Sequence, residues 1–434
     1  MLEVLARWNR WGSARLDPGH RREVTAQLGP FIATKDVVAL VGPRRAGKTT
    51  VLFQVMEQLA RDGVAPTAML HVNLEDPAFA PERGPDLLER LYRTYREEVH
   101  PDGKAWLFLD EVQRVPEWER WVRMRCETDD VKVFVTGSSS SLLSRELGTL
   151  LTGRHIEFRV WPLGFREYLD FHRIAIPSRP RLAGAPPRIQ HALTDYLRWG
   201  GFPEVVLARD DVRKELLLKQ YFDDVLFKDV ALRHEVRDLP ALRSLAVVLM
   251  TQTASLVSAQ RVARQLGISV DLAHACFSHL REAFLVEFLP CFSLKAAERA
   301  RNPQKVHAID TGLRNAVCLS ASPDRGRLAE TAVVAAMRRR DHDGLYYWKA
   351  GGEVDVLERR GNSVRTAVQV CFDATDPAVQ AREISALTEA SRVFKGVQPI
   401  LVLGRIGEET LKGLPRRTRV VPLWRFLLDP DTSM

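Results

Sequence analysis

The stretch DVVALVGPRRAGKTTVLFQV, residues 36–55, decides how the first part of the chain folds. VVALV is a short run rich in β-branched residues, suited to a strand buried on both faces, and VLFQVMEQLA carries apolar residues at helical spacing. Between them lies G-x-x-x-x-G-K-T, from Gly42 to Thr49. Gly42, Pro43, Arg44, Arg45, Ala46 and Gly47 make a turn whose backbone N–H groups can face inward around a triphosphate. Lys48 reaches the β and γ phosphates, Thr49 offers its hydroxyl to Mg²⁺, and Thr50 lies behind it in the first helical turn. The positive end of the helix adds to the attraction. A chance glycine-rich turn is the alternative, and the flanking strand and helix argue against it.

A second segment completes a hydrolytic set. KAWLFLDEV, residues 104–112, is an apolar strand ending in Asp110 and Glu111. The first carboxylate can hold the Mg²⁺ shell and the second can polarise a water against the γ-phosphate, although adjacent carboxylates at a strand end also occur in plain solvated turns.

At 434 residues the chain is too long for one core and predicts two or three domains. No apolar run reaches the roughly 18 residues that span a bilayer, and MLEVLARWNRWGSARL lacks the apolar core of a signal peptide, so no membrane association is expected. The five cysteines, Cys126, Cys276, Cys291, Cys318 and Cys371, are scattered at spacings that build neither a disulfide framework nor a zinc site, which fits a cytoplasmic location. Net charge is +8, and the arginine surplus suits phosphate contacts and a DNA partner; a bias of the source proteome gives the same composition.

Five strand candidates, VVALVG, AMLHVNLE, KAWLFLDE, VKVFVTGS and HIEFRVWPL, alternate with helical segments and predict an α/β domain with a parallel sheet over residues 1–175. IAIPSRPRLAGAPPRIQ, residues 174–190, reads as a loop or hinge, and a helical lid follows over 190–250. In residues 251–300, Ser258 can cap one helix, Gly267 can end it and Ser269 can cap the next, a helix-turn-helix pattern with a following strand or wing. Such modules bind DNA or serve as internal lids and interaction domains. Residues 320–434 return to strands around the helix AVQAREISALTEASRVF, a separate α/β domain whose boundary falls near Ser320 to Gly326.

Taken together, the P-loop, LFLDE, VTGSSSSLL and LLTGRHIEFRVWPLGFREY make the first 210 residues resemble a prokaryotic AAA+ ATPase joined to a C-terminal domain of unassigned function. GGFPE at 200–204, KVHAIDTGL at 305–313 and YYWKAGGEVDV at 346–356 extend that resemblance along the chain. It implies a γ-phosphate sensor at Ser138 or Ser139, where a helix-capping turn is the alternative, and a restraint on the catalytic glutamate at Asn73, a residue type that also forms turns. It places an arginine finger at Arg154, which implies a homo-oligomer, with a hexameric ring among the permitted forms; a helix-capping cation is the alternative. GGFPE resembles an element of signal-transduction ATPases whose proline, here Pro203, lies against the adenine, and a helix-breaking turn is the other reading.

The C-terminal segment resembles the PD-(D/E)xK nuclease fold, with Glu330 and Asp355 retained, Gln369 offering a neutral oxygen, and Cys371 where an active enzyme has lysine. That departure implies binding or docking without cleavage. The resemblance as a whole implies an α/β chain: a P-loop AAA+ parallel sheet, a winged helix, and a nuclease-like domain. Its cofactors would be ATP and Mg²⁺, and its action ATP hydrolysis coupled to DNA. A signalling switch that recruits protein partners and an ATP-gated nuclease are the competing functions.

Overall fold

The computed structural model describes residues 1–12, 16–82, 84–138, 155–176, 186–319, 324–340, 344–404 and 413–429. The chain divides into two compact units, Met1–Trp161 and Pro162–Met434.

The first unit is built on a five-stranded, wholly parallel sheet of β1 (Val37–Val41), β2 (Met69–Asn73), β3 (Ala105–Asp110), β4 (Val131–Gly137) and β5 (His155–Arg159), in the order β2-β3-β4-β1-β5. The five strand candidates read from sequence are these five strands. VVALV is buried at every position, as a strand covered on both faces must be. On one face Val51, Leu52, Val55, Met56 and Leu59 of the helix Lys48–Arg61 pack on Leu40, Phe108 and Phe134, whose two rings stack at 4.9 Å. Because β1 sits between β4 and β5 while the chain runs on to β2, the carboxyl ends of β3, β4 and β1 stand side by side at a topological switch point. That switch point is where parallel α/β sheets receive ligands.

The second unit begins earlier than the expected boundary at 175. The helix Phe165–Phe171 buries Phe165, Tyr168 and Leu169 in a core shared with Tyr196 and Leu197 of the helix Pro187–Trp199. The same core takes in Leu328 and Val333 from the helix Arg325–Arg338 and Val356, Val368 and Ile400 from the C-terminal sheet. The segments read as lid, helix-turn-helix and C-terminal domain therefore share apolar burial and form one compact unit. Part of the expected hinge, residues 177–185, lies outside the described residues.

Within this unit β6 (Ser255–Val257), β7 (Val286–Leu289) and β8 (Gln304–Ala308) form an antiparallel sheet in the order β6-β8-β7. The helices Ala259–Leu266 and Val270–Glu282 lie between β6 and β7 in sequence. Ser258 accepts from the Arg261 N–H at 3.3 Å, Ser269 accepts from the Leu272 N–H at 3.1 Å, and Gly267 ends the first helix at φ 67°, each in its anticipated capping role.

The second sheet of the unit runs β13-β12-β11-β10-β9, from β9 (Leu345–Lys349), β10 (Glu353–Arg360), β11 (Ser363–Cys371), β12 (Gln398–Leu403) and β13 (Arg419–Pro422). β9, β10 and β11 pair antiparallel, while β11, β12 and β13 pair parallel, with the helix Pro377–Val393 between β11 and β12 in the chain. Two of the sequence motifs meet here. Asp310 caps the helix Thr311–Val317 through the Leu313 N–H at 2.9 Å and accepts from the Gly201 N–H at 2.7 Å. A Cβ on Gly200 would lie 1.9 Å from an Asp310 carboxylate oxygen, so GGFPE and the D-T-G of 310–312 form a close backbone lock. No helix among the described residues is long and apolar enough to cross a membrane.

Candidate nucleotide site and a second acidic centre

The turn from Gly42 to Gly47 has the backbone its glycines predict. Gly42 has φ 154°, and a Cβ there would sit 2.2 Å from the Val160 carbonyl oxygen. Gly47, at φ 95°, occupies the N-cap of the helix Lys48–Arg61 and has no side chain to cap it. The amides of the first helical turn have no intrahelical acceptors, so they remain available to an anionic ligand. Lys48 is 5% exposed and donates back to the carbonyls of Gly42 at 3.0 Å and Pro43 at 3.1 Å. An ammonium held by two loop carbonyls is poised over the phosphate cradle.

Asp110 and Glu111 stand at the end of β3 beside this turn. The Thr49 hydroxyl donates to Asp110 Oδ2 at 2.6 Å, and the Thr136 hydroxyl donates to Asp110 Oδ1. Burial pushes the Asp110 carboxyl up, against the pull of Thr136, Thr49 and Lys48. A buried carboxylate beside a threonine hydroxyl is an oxygen donor set suited to Mg²⁺. Glu111 takes the left-handed conformation at φ 55°, a costly backbone for a residue with a Cβ, and Thr136 accepts its N–H at 2.9 Å. Its Oε1 lies 3.9 Å from Lys48 Nζ.

The resemblance implies a restraint on this glutamate at Asn73, with a turn former as the alternative. Gln113 Nε2 donates to Glu111 Oε2 at 2.6 Å, while Asn73 Oδ1 accepts from the Glu75 N–H at 3.0 Å. The turn-forming alternative for Asn73 is the one its own hydrogen bond satisfies. Gln113 also lies 3.4 Å from the hydroxyl of Ser138, which is fully buried at the end of β4. Ser138 is thereby joined to the glutamate through one side chain. Ser139 and Arg154 lie outside the described residues. Pro203 is the first residue of the helix Pro203–Leu207 in the second unit, a position that tolerates the missing N–H.

Three further residues were not singled out from sequence. Arg22 is buried and donates to the carbonyls of Ala46 and Trp161, bracing the phosphate turn from behind. Glu75 bridges Arg44 of the turn and Arg114. Burial alone would raise its carboxyl, but the two guanidinium groups outweigh that and lower it. His71, on β2, is fully buried with Nε2 at 3.9 Å from Asp110 Oδ2, and burial brings its imidazole down to about 4. It is a neutral wall behind the acid.

The second unit holds a different acidic centre. Glu330, from the helix Arg325–Arg338, and Glu353 and Asp355, both from β10, come together around one side chain. The centre contains a lysine that sequence reasoning missed. Lys305 of β8 is 2% exposed, and its Nζ lies 2.7 Å from Glu330, 2.9 Å from Glu353 and 2.9 Å from Asp355. Cys371 stands buried at the strand position where the resemblance expects lysine, and β8 supplies an ammonium from another sheet. Gln369 also departs from its expected part. Its Oε1 accepts from the Asp355 N–H at 3.3 Å and its Nε2 donates to Glu383, so its oxygen is engaged within the protein.

Electrostatics in this centre are strong. Burial raises Glu330 to about 8, and Asp355 adds to the rise against the lowering effect of Lys305. Burial opposes the charged form of Lys305, but Asp355, Glu330 and Glu353 outweigh it and hold the ammonium well above its ordinary range. Burial also lifts the Cys371 thiol to about 11.

Residues 34–169 match the family model described as an AAA domain. With the P-loop and acidic pair in place on a five-stranded parallel sheet, this part of the chain is an AAA-type P-loop domain. Residues 190–325 match a model described as a domain of unknown function (DUF8612). An uncharacterized protein of Methanocaldococcus jannaschii is 29% identical over 422 residues, covering 94% of this chain and 90% of its own. One of Haemophilus influenzae is 27% identical over 397 residues, covering 90% of this chain and 94% of its own. Among solved structures, the ADP form of the Aeropyrum pernix ORC2 protein aligns over 64% of this chain and 90% of its own at 14% identity and a TM-score of 0.36. AMPPCP-bound DnaA from Aquifex aeolicus aligns over 60% and 86% at 13% identity and a TM-score of 0.29. Similarities of that size carry no weight for mechanism.

Proposed function

We propose that this chain is an Mg²⁺-dependent ATPase that hydrolyses ATP to ADP and phosphate and couples the nucleotide state to DNA. The observation that carries the hydrolytic half is the 2.6 Å bond from Thr49 to Asp110 with Glu111 beside it, held by Gln113. It joins the phosphate turn of β1 to the acid pair of β3. Thr49 and Asp110 would hold Mg²⁺, which when bound neutralises phosphate charge. Lys48 releases its loop carbonyls to hold the β and γ phosphates. Glu111 orients the attacking water and accepts its proton, and Ser138 supports the γ-phosphate end through Gln113.

The DNA half rests on the net charge of +8 and on the order strand, helix, helix, strand, short helix, strand over residues 255–308, which resembles a winged helix with the helix Ala296–Arg301 inserted before its last strand. The second helix carries Asp271 and Glu282 against Arg281, so phosphate contacts fall to the exposed Arg261 and Arg264 of the first. ATP turnover measured with and without duplex and single-stranded DNA tests the coupling. Stimulation that fades with salt and is lost in Arg261→Glu/Arg264→Glu supports it. Turnover indifferent to DNA removes DNA and leaves a nucleotide switch that recruits protein.

The oligomer belongs to the same proposal, with Arg154 completing a neighbour's site. Arg154→Ala and Glu111→Gln chains, each inactive alone, then regain turnover when mixed. Co-assembly without recovery returns Arg154 to a capping role.

A further inference from the structure

We propose that Lys305 is a built-in cation that occupies the position of a divalent ion among Glu330, Glu353 and Asp355, closing this centre to metal while strand β8 is docked. One ammonium satisfies one carboxylate in an ordinary ion pair. Here three carboxyl groups converge on it at 2.7–2.9 Å, more oxygen donors than one ion pair requires. Glu330 and Asp355 bring buried oxygens to the ammonium and Glu353 a partly exposed one, and oxygen donors are what a hard divalent cation takes.

His307 is the independent observation that points to a metal. It lies two residues beyond Lys305 on the same face of β8 and is 1% exposed. Neither ring nitrogen has a hydrogen-bond partner, and Nε2 is 3.8 Å from Glu330 Oε1. Burial, with Lys305 and Arg338 nearby, keeps the imidazole neutral, so its lone pair is free to ligate. Three carboxylates and an imidazole suit Mn²⁺.

The lysine reaches this centre because β8 is joined to the neighbouring sheet. Tyr347 of β9 donates its hydroxyl to the Pro303 carbonyl at 2.7 Å, just before β8, and its N–H to the Pro290 carbonyl at 3.1 Å, just after β7. The three-stranded sheet thereby delivers the cation that the acidic centre lacks on its own strands. The inference rests on this geometry and stands whether or not ATP is hydrolysed in the first unit.

The test is Mn²⁺ binding by the full chain without nucleotide, read by electron paramagnetic resonance and by the metal-induced shift of the thermal midpoint. Lys305→Met should gain one Mn²⁺ per chain, bound at least about tenfold more tightly than by wild type. Lys305→Met/Asp355→Asn should lose it. A folded Lys305→Met chain with no gain overturns the proposal, as does a wild-type chain that binds Mn²⁺ in a manner abolished by Asp355→Asn. If Lys305→Met folds only when Mn²⁺ is supplied, the metal has replaced the ammonium and the proposal holds; if Mn²⁺ does not restore the fold, it fails. Mg²⁺-dependent DNA cleavage by wild type that Lys305→Met abolishes also overturns it, because Lys305 is then catalytic.

Discussion

Two buried acids, Asp110 in the first unit and Asp355 in the second, sit at the ends of different solutions to the same electrostatic problem. Asp110 is met by two hydroxyls, Thr49 and Thr136, while the nearby ammonium of Lys48 is turned to loop carbonyls. Asp355 is met by a full positive charge, Lys305, at 2.9 Å and by the Val370 N–H at 2.9 Å. The first arrangement leaves a carboxylate undercompensated and beside a phosphate cradle, so it gains when a cation and an anionic ligand arrive together. The second has its cation inside the chain. Sequence motifs placed a carboxylate in both centres, and the counter-ion separates them.

The largest effect that sharpens this contrast is on nucleotide binding. Lys48→Ala should weaken ATP binding by about 2–3 kcal/mol, roughly 30- to 150-fold, because a charge-assisted phosphate contact is lost. Lys305→Met should leave ATP affinity unchanged. Titration with a fluorescent ATP analogue measures both, and equal losses would erase the distinction between the centres.

A smaller effect is expected at Gln113. With its hydrogen bond to Glu111 removed, Gln113→Ala should lower kcat by about three- to tenfold while KM for ATP stays within about twofold, the pattern of a group that positions the base without holding substrate. A change confined to KM would instead place Gln113 among the binding residues.

The first unit was more legible than the second, for a physical reason. A phosphate cradle is local: Gly42, Gly47, Lys48 and Thr49 lie in one turn, and backbone geometry ties their types to their spacing. Asp110 and Glu111 end an apolar strand, which announces itself by burial. Gln113, two residues past the glutamate, lies in a short turn whose sequence has no periodicity to single it out. Lys305 was hidden for the opposite reason. It is 50 positions from Asp355, in the plain alternation of KVHA, and only the docking of β8 reveals its charge. Helix caps at Ser258 and Ser269 were readable because each closes on an amide three residues away.

His71 in the first unit and Glu330 in the second should pull stability in opposite directions as pH changes. His71 has an imidazole brought down to about 4, so the unfolded chain binds the proton first and stability falls as pH drops from about 6.5 towards 4. Glu330 is raised to about 8, so the folded chain holds the proton and stability is lost as pH rises from about 4.5 through 8. Hydrogen exchange in β2 and in β10 across this range reads each unit separately. His71→Gln should flatten the acid limb in β2 and Glu330→Gln the alkaline limb in β10; a single trend shared by both strands would break the comparison.

The most direct measurement is steady-state ATP turnover, with Mg²⁺, of Glu111→Gln and Asp355→Asn beside wild type, all below their thermal midpoints. The account predicts Mg²⁺-dependent hydrolysis that Glu111→Gln slows at least about tenfold with ATP still bound, and that Asp355→Asn leaves within about twofold of wild type. Wild-type turnover in Glu111→Gln, or an equal loss in Asp355→Asn, would contradict it.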